Sequence, residues 1–465
     1  MKKIHFVSLG CAKNRVDTEI MLGVGEQHAY AHVDDPTDAS VIVINTCGFI
    51  ESAKKESIDT ILQMAQLKEE GACEKLVVAG CLSQRYADEL AVELPEVDYF
   101  LGSSDMLKLG EVLASEPARM LVGNPADYTM RADDPRTLTQ RHHSAYLKIA
   151  EGCNRQCSFC AIPSFRGKQR SRSIDDCVAE AKRLASLGVV ELNLISQDTI
   201  SYGRDRDDKS SLTKLVNALG DVDGIRWIRL HYLYPETLTS ALIDTINDHP
   251  KVLPYIDMPL QHASDPMLRA MRRGHGGERL YRVVDTLRER IDDLVFRTTF
   301  LVGHPGETEQ DFEDLMKFVS WAEFDHVGVF SYSHEDGTVA GAMENLVDEE
   351  TIERRNKQLM ALQRPISRDR LQARIATELD VLVDGVSDES DLLLEGRWWG
   401  QAPEVDGKIY LANGEARPGE IRRALVTDAS DYDLVADLLT LDGMRDAPPG
   451  TPDPERPKVR LRTIK

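Results

Sequence analysis

At 465 residues the chain should hold about three domains of roughly 150 residues each. Its composition, 42% hydrophobic and 6% aromatic, is ordinary for a globular protein, and no apolar run approaches the roughly 18 residues of a membrane-spanning helix. A formal charge of −22 repels phosphate backbones and favours basic partners. The N-terminus reads as a strand with no small-residue cleavage site, so a cytoplasmic location is expected, where eight cysteines point to metal or catalysis rather than disulfides.

Residues 1–130 alternate strand and helix. Strands are expected at 3–9, 40–45 and 75–79, and helices near 17–27, 52–69 and 84–93, which makes an N-terminal open parallel α/β sheet domain. A polar stretch at 127–143 around Pro135 reads as a linker. Over 140–371 the alternation resumes, with strands expected at 145–149, 190–196, 225–230, 255–258, 297–302 and 326–332. Helices are expected at 174–187, 238–248, 278–290 and 309–322. Six βα units suit a partial (β/α)6 barrel, since a full eight-unit barrel needs ~250 residues. A charged helix at 353–371 should kink or break at Pro365. Residues 372–440 carry short alternating runs at 379–383, 392–395, 408–411 and 420–426 separated by glycines, the pattern of a small C-terminal β-barrel. Pro448, Pro449, Pro452, Pro454 and Pro457 mark 441–465 as a disordered tail or a partner-binding arm.

Cys153, Cys157 and Cys160 spell C-x3-C-x2-C within Gly152-Cys-Asn-Arg-Gln-Cys-Ser-Phe-Cys-Ala-Ile-Pro. Three close thiolates can hold three corners of a 4Fe–4S cluster and leave the fourth iron free to bind a small molecule. A zinc site would need a fourth Cys or His nearby. His231 is far off in sequence, and His142 and His143 precede the strand and belong at its other end. Cys11, Cys47 and Cys81 each lie just past the C-terminal end of an expected strand, and in a parallel sheet those ends share one edge. They form a second candidate three-cysteine cluster site; the alternative is three buried structural cysteines. Cys73 precedes its strand and Cys177 lies inside a helix, so both read as packing or surface thiols.

The C-terminal face of the barrel should carry further site residues. Candidates are Ser196, Gln197 and Asp198, with a helix cap or turn as the competing reading, then His231 and Tyr234, Gln261 and His262. Gly303 and Gly306 in Gly303-His-Pro-Gly-Glu could admit an adenosyl group. His304, His326 and His334 read as structural or surface histidines rather than ligands.

The cysteine motif with Phe159, together with Arg166-Gly, Ser171-Arg-Ser, Asp257-Met-Pro-Leu-Gln-His and Thr299-Phe-Leu-Val-Gly-His-Pro-Gly-Glu-Thr, resembles the radical S-adenosylmethionine superfamily. The three strand-end cysteines ahead of it narrow the resemblance to the methylthiotransferases, and the C-terminal β segment looks like their TRAM domain. Ser8-Leu-Gly-Cys-Ala-Lys-Asn resembles the ribosomal-protein, RimO-type branch, where the tRNA branch tends to read Thr-x-Gly-Cys-Gln-Met-Asn. Ala12, often Pro in the branch, and His304, often Phe in the family, depart from the pattern.

The resemblance implies two 4Fe–4S clusters and S-adenosylmethionine. The cofactor would sit on the Cys153/Cys157/Cys160 cluster with Phe159, Gln197, Asp198, Gly303 and Gly306 as its contacts. Its reductive cleavage would give a 5′-deoxyadenosyl radical that removes hydrogen from the β-carbon of an aspartate in a small-subunit ribosomal protein (S twelve). The Cys11/Cys47/Cys81 cluster would supply the sulfur, and a second S-adenosylmethionine the methyl group. No catalytic side chain beyond the cluster ligands is implied. The implied partners are a basic ribosomal protein, an electron donor and a sulfur donor, with no membrane. Charge argues against tRNA as well: residues 378–437 carry 15 acidic against 5 basic side chains, net −10, where a tRNA-binding module should present a basic stripe. A generally acidic proteome would explain the same charge without reference to substrate. The rival readings are a tRNA adenosine methylthiotransferase and a non-catalytic iron–sulfur electron carrier.

Overall fold

Every residue of Val41–Thr46 is buried, as expected for a β-branched run covered on both faces. It forms β3 of a parallel sheet with β1 (Lys2–Ser8), β2 (Tyr30–His32), β4 (Lys75–Gly80), β5 (Tyr99–Leu101) and β6 (Met120–Leu121), in the order β2-β1-β3-β4-β5-β6. A computed structural model describes residues 2–139 and 142–439. β2, β5 and β6 are only two or three residues long and lack a readable alternation, so the sequence pattern missed them. The first helix starts at Ala12 rather than near 17, directly after Cys11. The helix expected at 52–69 divides into Glu51–Ala65 and Leu67–Glu70, and that at 84–93 into Cys81–Arg85 and Ala87–Glu93.

The segment expected as a linker is a pinned strap. The Arg136 side chain is 1% exposed and donates to Glu19 Oε2 through Nε (2.9 Å) and Nη2 (2.7 Å), and to Glu180 Oε1 through Nη1 (2.5 Å). It enters β7 (Ser144–Lys148), followed by the small ribbon of β8 (Ala150–Glu151) and β9 (Arg170–Ser171). β10 (Glu191–Ile195), β11 (Trp227–Leu230), β12 (Val252–Asp257), β13 (Val295–Val302) and β14 (His326–Ser331) complete a six-stranded parallel sheet in the order β14-β13-β12-β11-β10-β7. β7 and β14 do not pair, so the barrel is partial and has an open side.

The charged helix runs unbroken as Glu349–Gln372 with Pro365 inside it, so of the expected kink or break the break does not occur. Pro365 and Ala361, whose carbonyl loses its partner, lie on the exposed face, so water can satisfy that group. The opposite face is anchored on both sides of the proline, by Gln363 Nε2 to Phe324 O (2.7 Å) and Ser367 Oγ to Asp325 O (2.8 Å).

The last sheet closes as β15 (Glu378–Val386), β16 (Leu394–Trp398), β17 (Ile409–Ala412), β18 (Ile421–Ala429) and β19 (Leu434–Leu438), in the order β15-β16-β17-β19-β18. β19 was not expected from the sequence. The core of this barrel is continuous with Trp227, Leu253, Tyr255 and Val295, so it packs beneath β11–β13, near their N-terminal ends. Asp406 fastens the joint, accepting from Tyr255 Oη and Arg297 Nη1, each at 2.6 Å. No helix among the described residues is long and apolar enough to cross a membrane. The tail at 441–465 lies outside the described residues.

Candidate functional site

Cys11, Cys47 and Cys81 follow β1, β3 and β4, three adjacent strands, at one edge of the first sheet. Gly10 lets their loops close on one another. Its φ is +87°, and a Cβ there would stand 2.8 Å from Cys47 Cβ. Asn14 Nδ2 ties the same loops by donating to Leu9 O and Thr46 O, each at 3.0 Å. Burial pushes the Cys47 thiol up to about 12, and nearby Cys81 and Cys11 add to the shift. Burial pushes Cys81 up to about 11 against the pull of the Arg166 guanidinium. Thiols in such surroundings ionise when a metal binds them.

Cys153, Cys157 and Cys160 lie in the loop after β8, at the C-terminal end of the barrel sheet. Cys153 N donates to Gly167 O (3.0 Å), Ser158 N to Met271 O (3.1 Å) and Ala340 N to Ser158 O (2.8 Å), which clamps the loop between three other segments. Burial raises Cys153 to about 11 and Cys160 to about 12, and the neighbouring Cys157 adds to both shifts. Among the described residues no three Cys, His, Asp or Glu side chains converge as tightly as a single metal ion needs.

The polar shell around this second triad is incompletely paired. Arg155 donates to Asp198 Oδ2 (2.7 Å) and Glu236 Oε2 (2.6 Å), and Arg155 and Arg273 lie 3.6 and 3.9 Å from the centre of the Tyr234 ring. Yet Gln197 Oε1, Asp198 Oδ1, Arg155 Nη2 and both amide atoms of Gln169 are buried without a hydrogen-bond partner. Such atoms cost about 1–3 kcal/mol each unless a ligand meets them. Asp198, Arg155 and Gln169 line a cavity of 250 Å³, and these residues fit a polar cofactor.

The remaining candidates are dispersed. Phe159 stands edge-on to His304 at 6.5 Å, and His304 Nε2 lies 2.9 Å from Ser158 Oγ. Gly303 and Gly306 meet the chain's own side chains: a Cβ at either would strike Ile352 or Asn345. Ser196 bonds Thr199 within its turn (3.0 Å), and His262 pairs with Glu307 (3.1 Å). Gln261 bridges to Phe300. His231 lies inside the barrel between Asp257 and Asn193, each at 3.3 Å. His143 pairs with Asp384 of the C-terminal barrel (2.8 Å), and His326 with Gly400 O (2.9 Å), away from either triad. His334 is exposed beside Asp336 (3.8 Å).

The two triads adjoin. Ala161 and Ile162, directly after Cys160, pack with Phe165 against Cys81 and Phe49. A buried charge network crosses the same seam. Arg166 donates to Cys81 Sγ through Nε (3.2 Å) and Nη2 (3.1 Å), to Asn14 Oδ1 (2.6 Å), Asp17 Oδ2 (2.9 Å) and Glu151 Oε2 (3.3 Å). Lys148 Nζ bonds Asp17 Oδ1 and Glu151 Oε2, the latter at 2.9 Å. Burial alone would raise the Glu151 carboxyl, but Lys148 and Arg166 outweigh it and hold it at about 2. None of Asp17, Lys148 or Glu151 was singled out from the sequence. The available signal was two opposite charges, Lys148 and Glu151, interrupting an apolar strand just before Cys153.

Beside this seam a cavity of 1610 Å³ reaches from Cys11 past His231 and Asp257 to the C-terminal barrel. Ser144 and Tyr146 of β7 and Phe330 of β14 line it, so it occupies the open side of the partial barrel.

Residues 147–319 match the radical SAM superfamily, residues 3–102 the uncharacterized protein family UPF0004, and residues 375–439 the TRAM domain. The ribosomal protein uS12 methylthiotransferase RimO of Sorangium cellulosum is 61% identical over 94% of this chain and 91% of its own length. That of Myxococcus xanthus is 50% identical over 94% and 91%. This chain belongs to the RimO family of radical S-adenosylmethionine methylthiotransferases. Among solved structures, the radical S-adenosylmethionine methyltransferase TsrM of Kitasatospora setae shares the fold, with a TM-score of 0.53 at 16% identity over 73% of this chain and 77% of that one. Family membership brings with it an iron–sulfur cluster and S-adenosylmethionine.

Cys73 and Cys177 stand apart in the hydrophobic cores, Cys73 donating to Lys75 O (3.5 Å) and Cys177 fully buried. Replacing either with alanine is expected to leave the iron content of the reconstituted protein unchanged. Iron analysis checks this, and loss of iron in either variant would reject the assignment of the two triads.

Proposed function

We propose that this protein methylthiolates the β-carbon of an aspartate in ribosomal protein uS12, using one 4Fe–4S cluster on Cys153, Cys157 and Cys160 and a second on Cys11, Cys47 and Cys81. The observation that carries this reading is the meeting of the two triads at one seam beside a cavity that opens to the outside. When bound, the cluster and S-adenosylmethionine supply the one-electron chemistry that breaks an unactivated C–H bond, which acid–base groups cannot do. Gln197 Oε1 and Asp198 Oδ1, buried and unpartnered, would accept hydrogen bonds from that cofactor's polar end. Arg155 orients Asp198, and the packing of Ala161, Ile162 and Phe165 against Cys81 holds the two sites in register. The cavity favours a basic macromolecule, since nine of its lining residues are Asp or Glu against four Lys or Arg. An electron donor and a sulfur donor complete the reaction: one S-adenosylmethionine, cleaved by one electron, would leave as methionine and as 5′-deoxyadenosine carrying the substrate hydrogen, a second would give its methyl to the sulfur and leave as S-adenosylhomocysteine, and the methylated sulfur would form the new C–S bond, the electron left over returning to the iron–sulfur centre.

The test is anaerobic reconstitution with iron and sulfide, followed by reductant, S-adenosylmethionine and either a peptide carrying the uS12 aspartate or tRNA. Mass spectrometry should show a gain of about 46 Da, H replaced by SCH3, on the peptide. A gain on tRNA alone would overturn the substrate assignment and keep the chemistry.

A further inference from the structure

Lys13 is 8% exposed, two residues from Cys11, and among the described residues has no hydrogen bond or ion pair. Its Nζ sits 3.4 Å above the centre of the Tyr232 ring. Tyr232 is itself held in the left-handed region, at φ 58°, a conformation that costs a non-glycine residue and recurs at ligand sites. Two bonds keep it there: its N–H donates to Asp257 Oδ2 (3.2 Å), and its carbonyl accepts from Thr199 N (3.2 Å). The facing carboxylate of Asp257 is otherwise occupied, by His231 Nδ1 (3.3 Å) and Arg297 Nε (3.7 Å). Other cations along the cavity are similarly taken: Arg15 pairs with Glu404 (2.7 Å) and Arg297 with Asp406 (2.6 Å). A buried lysine without a hydrogen bond or ion pair stands two residues from Cys11 on a strained aromatic platform, Tyr232, which lines an otherwise acidic cavity; Cys11, Asp257 and Glu151 act on it only through space.

We propose that Lys13 and Tyr232 form a carboxylate subsite that takes the side chain of the acidic residue being modified. The acidic lining draws in the basic flanks of the substrate, and Lys13 selects the one acidic side chain among them. Because the carboxylate is bonded to the β-carbon, holding it at Lys13 brings that carbon next to Cys11. This inference rests on the reading that the protein methylthiolates an aspartate.

The test compares wild type and Lys13→Met holoprotein, anaerobically, for equilibrium binding of a uS12 peptide with Asp or Asn at the target position. Wild type should prefer Asp by roughly tenfold or more, as for a charge-assisted hydrogen bond, and Lys13→Met should bind both peptides alike. The electron paramagnetic resonance signals of the clusters should be the same in the two proteins. Lys13→Gln, which keeps length and polarity without charge, replaces Lys13→Met if the latter does not hold its clusters, and should also lose the preference. A neutral variant that retains the Asp preference overturns the subsite. So does one whose cluster signals shift while the preference stays, since the lysine would then serve the cluster. If wild type neither binds nor methylthiolates the peptide, the functional reading fails first, and that outcome is distinct from either.

Discussion

Cys153→Ala is expected to abolish 5′-deoxyadenosine formation, whereas Cys11→Ala should keep forming it and release no methylthiolated product. The two triads differ in setting, and the difference sets the two outcomes apart. Cys153 lies in the clamped loop beside Gln197, Asp198 and Arg155, whose unpartnered atoms mark a place for a polar cofactor. Cys11 lies on the other side of the Ala161–Phe165 packing, at the wall of the large cavity where a macromolecule can reach it. Loss of a ligand at the first should stop cofactor cleavage, and loss at the second should uncouple cleavage from transfer. Quantifying both products by mass spectrometry checks the pair. Cofactor cleavage by Cys153→Ala above ~1% of the wild-type rate, which means a loss of less than about 2.7 kcal/mol of transition-state stabilisation, would reject the first assignment. Methylthiolation by Cys11→Ala at the wild-type rate would reject the second.

The strands that carry these cysteines were legible because burial on both faces imposes a continuous apolar run, as in Val41–Thr46. Position at a strand end then follows from topology, so the sequence alone groups Cys11, Cys47 and Cys81 at one sheet edge. What was not legible depends on long-range partners. β2, β5 and β6 are too short to carry a period and exist because a neighbouring strand offers its edge. Pro365 was expected to kink or break its helix, and packing on either side of it keeps the helix continuous. Gly303 and Gly306 looked like room for a ligand, and the room is taken by the side chains of Ile352 and Asn345 from much later in the chain. Asp17, Lys148, Glu151 and Arg166 are unremarkable as single charges. Their meaning comes from the fold bringing two acids and two bases together at one seam.

That seam gives the second large effect. Lys148→Met is expected to destabilise the contact between the N-terminal sheet and the barrel by about 3–5 kcal/mol, because it leaves two buried carboxylates to share one guanidinium. In the intact network the charges balance: Asp17 and Glu151 face Lys148 and Arg166, all four at 5% side-chain exposure or less. The penalty is therefore one of charge imbalance more than of a lost contact, and the two contributions separate in a double-mutant cycle. Asp17→Asn combined with Lys148→Met removes one charge of each sign and leaves Arg166 paired with Glu151 at 3.3 Å. The double variant should recover at least half of the stability that Lys148→Met loses. Hydrogen exchange across Ala12–Gln27 and Ser144–Lys148 reads the effect locally, which matters because a chain of several sheets need not unfold in one step. If the two single losses simply add in the double variant, charge balance is not what holds the seam, and the contribution of these residues is packing alone. Because Arg166 also donates to Cys81, imbalance at Lys148 should propagate to the Cys11/Cys47/Cys81 triad and lower its iron retention along with the stability of the seam.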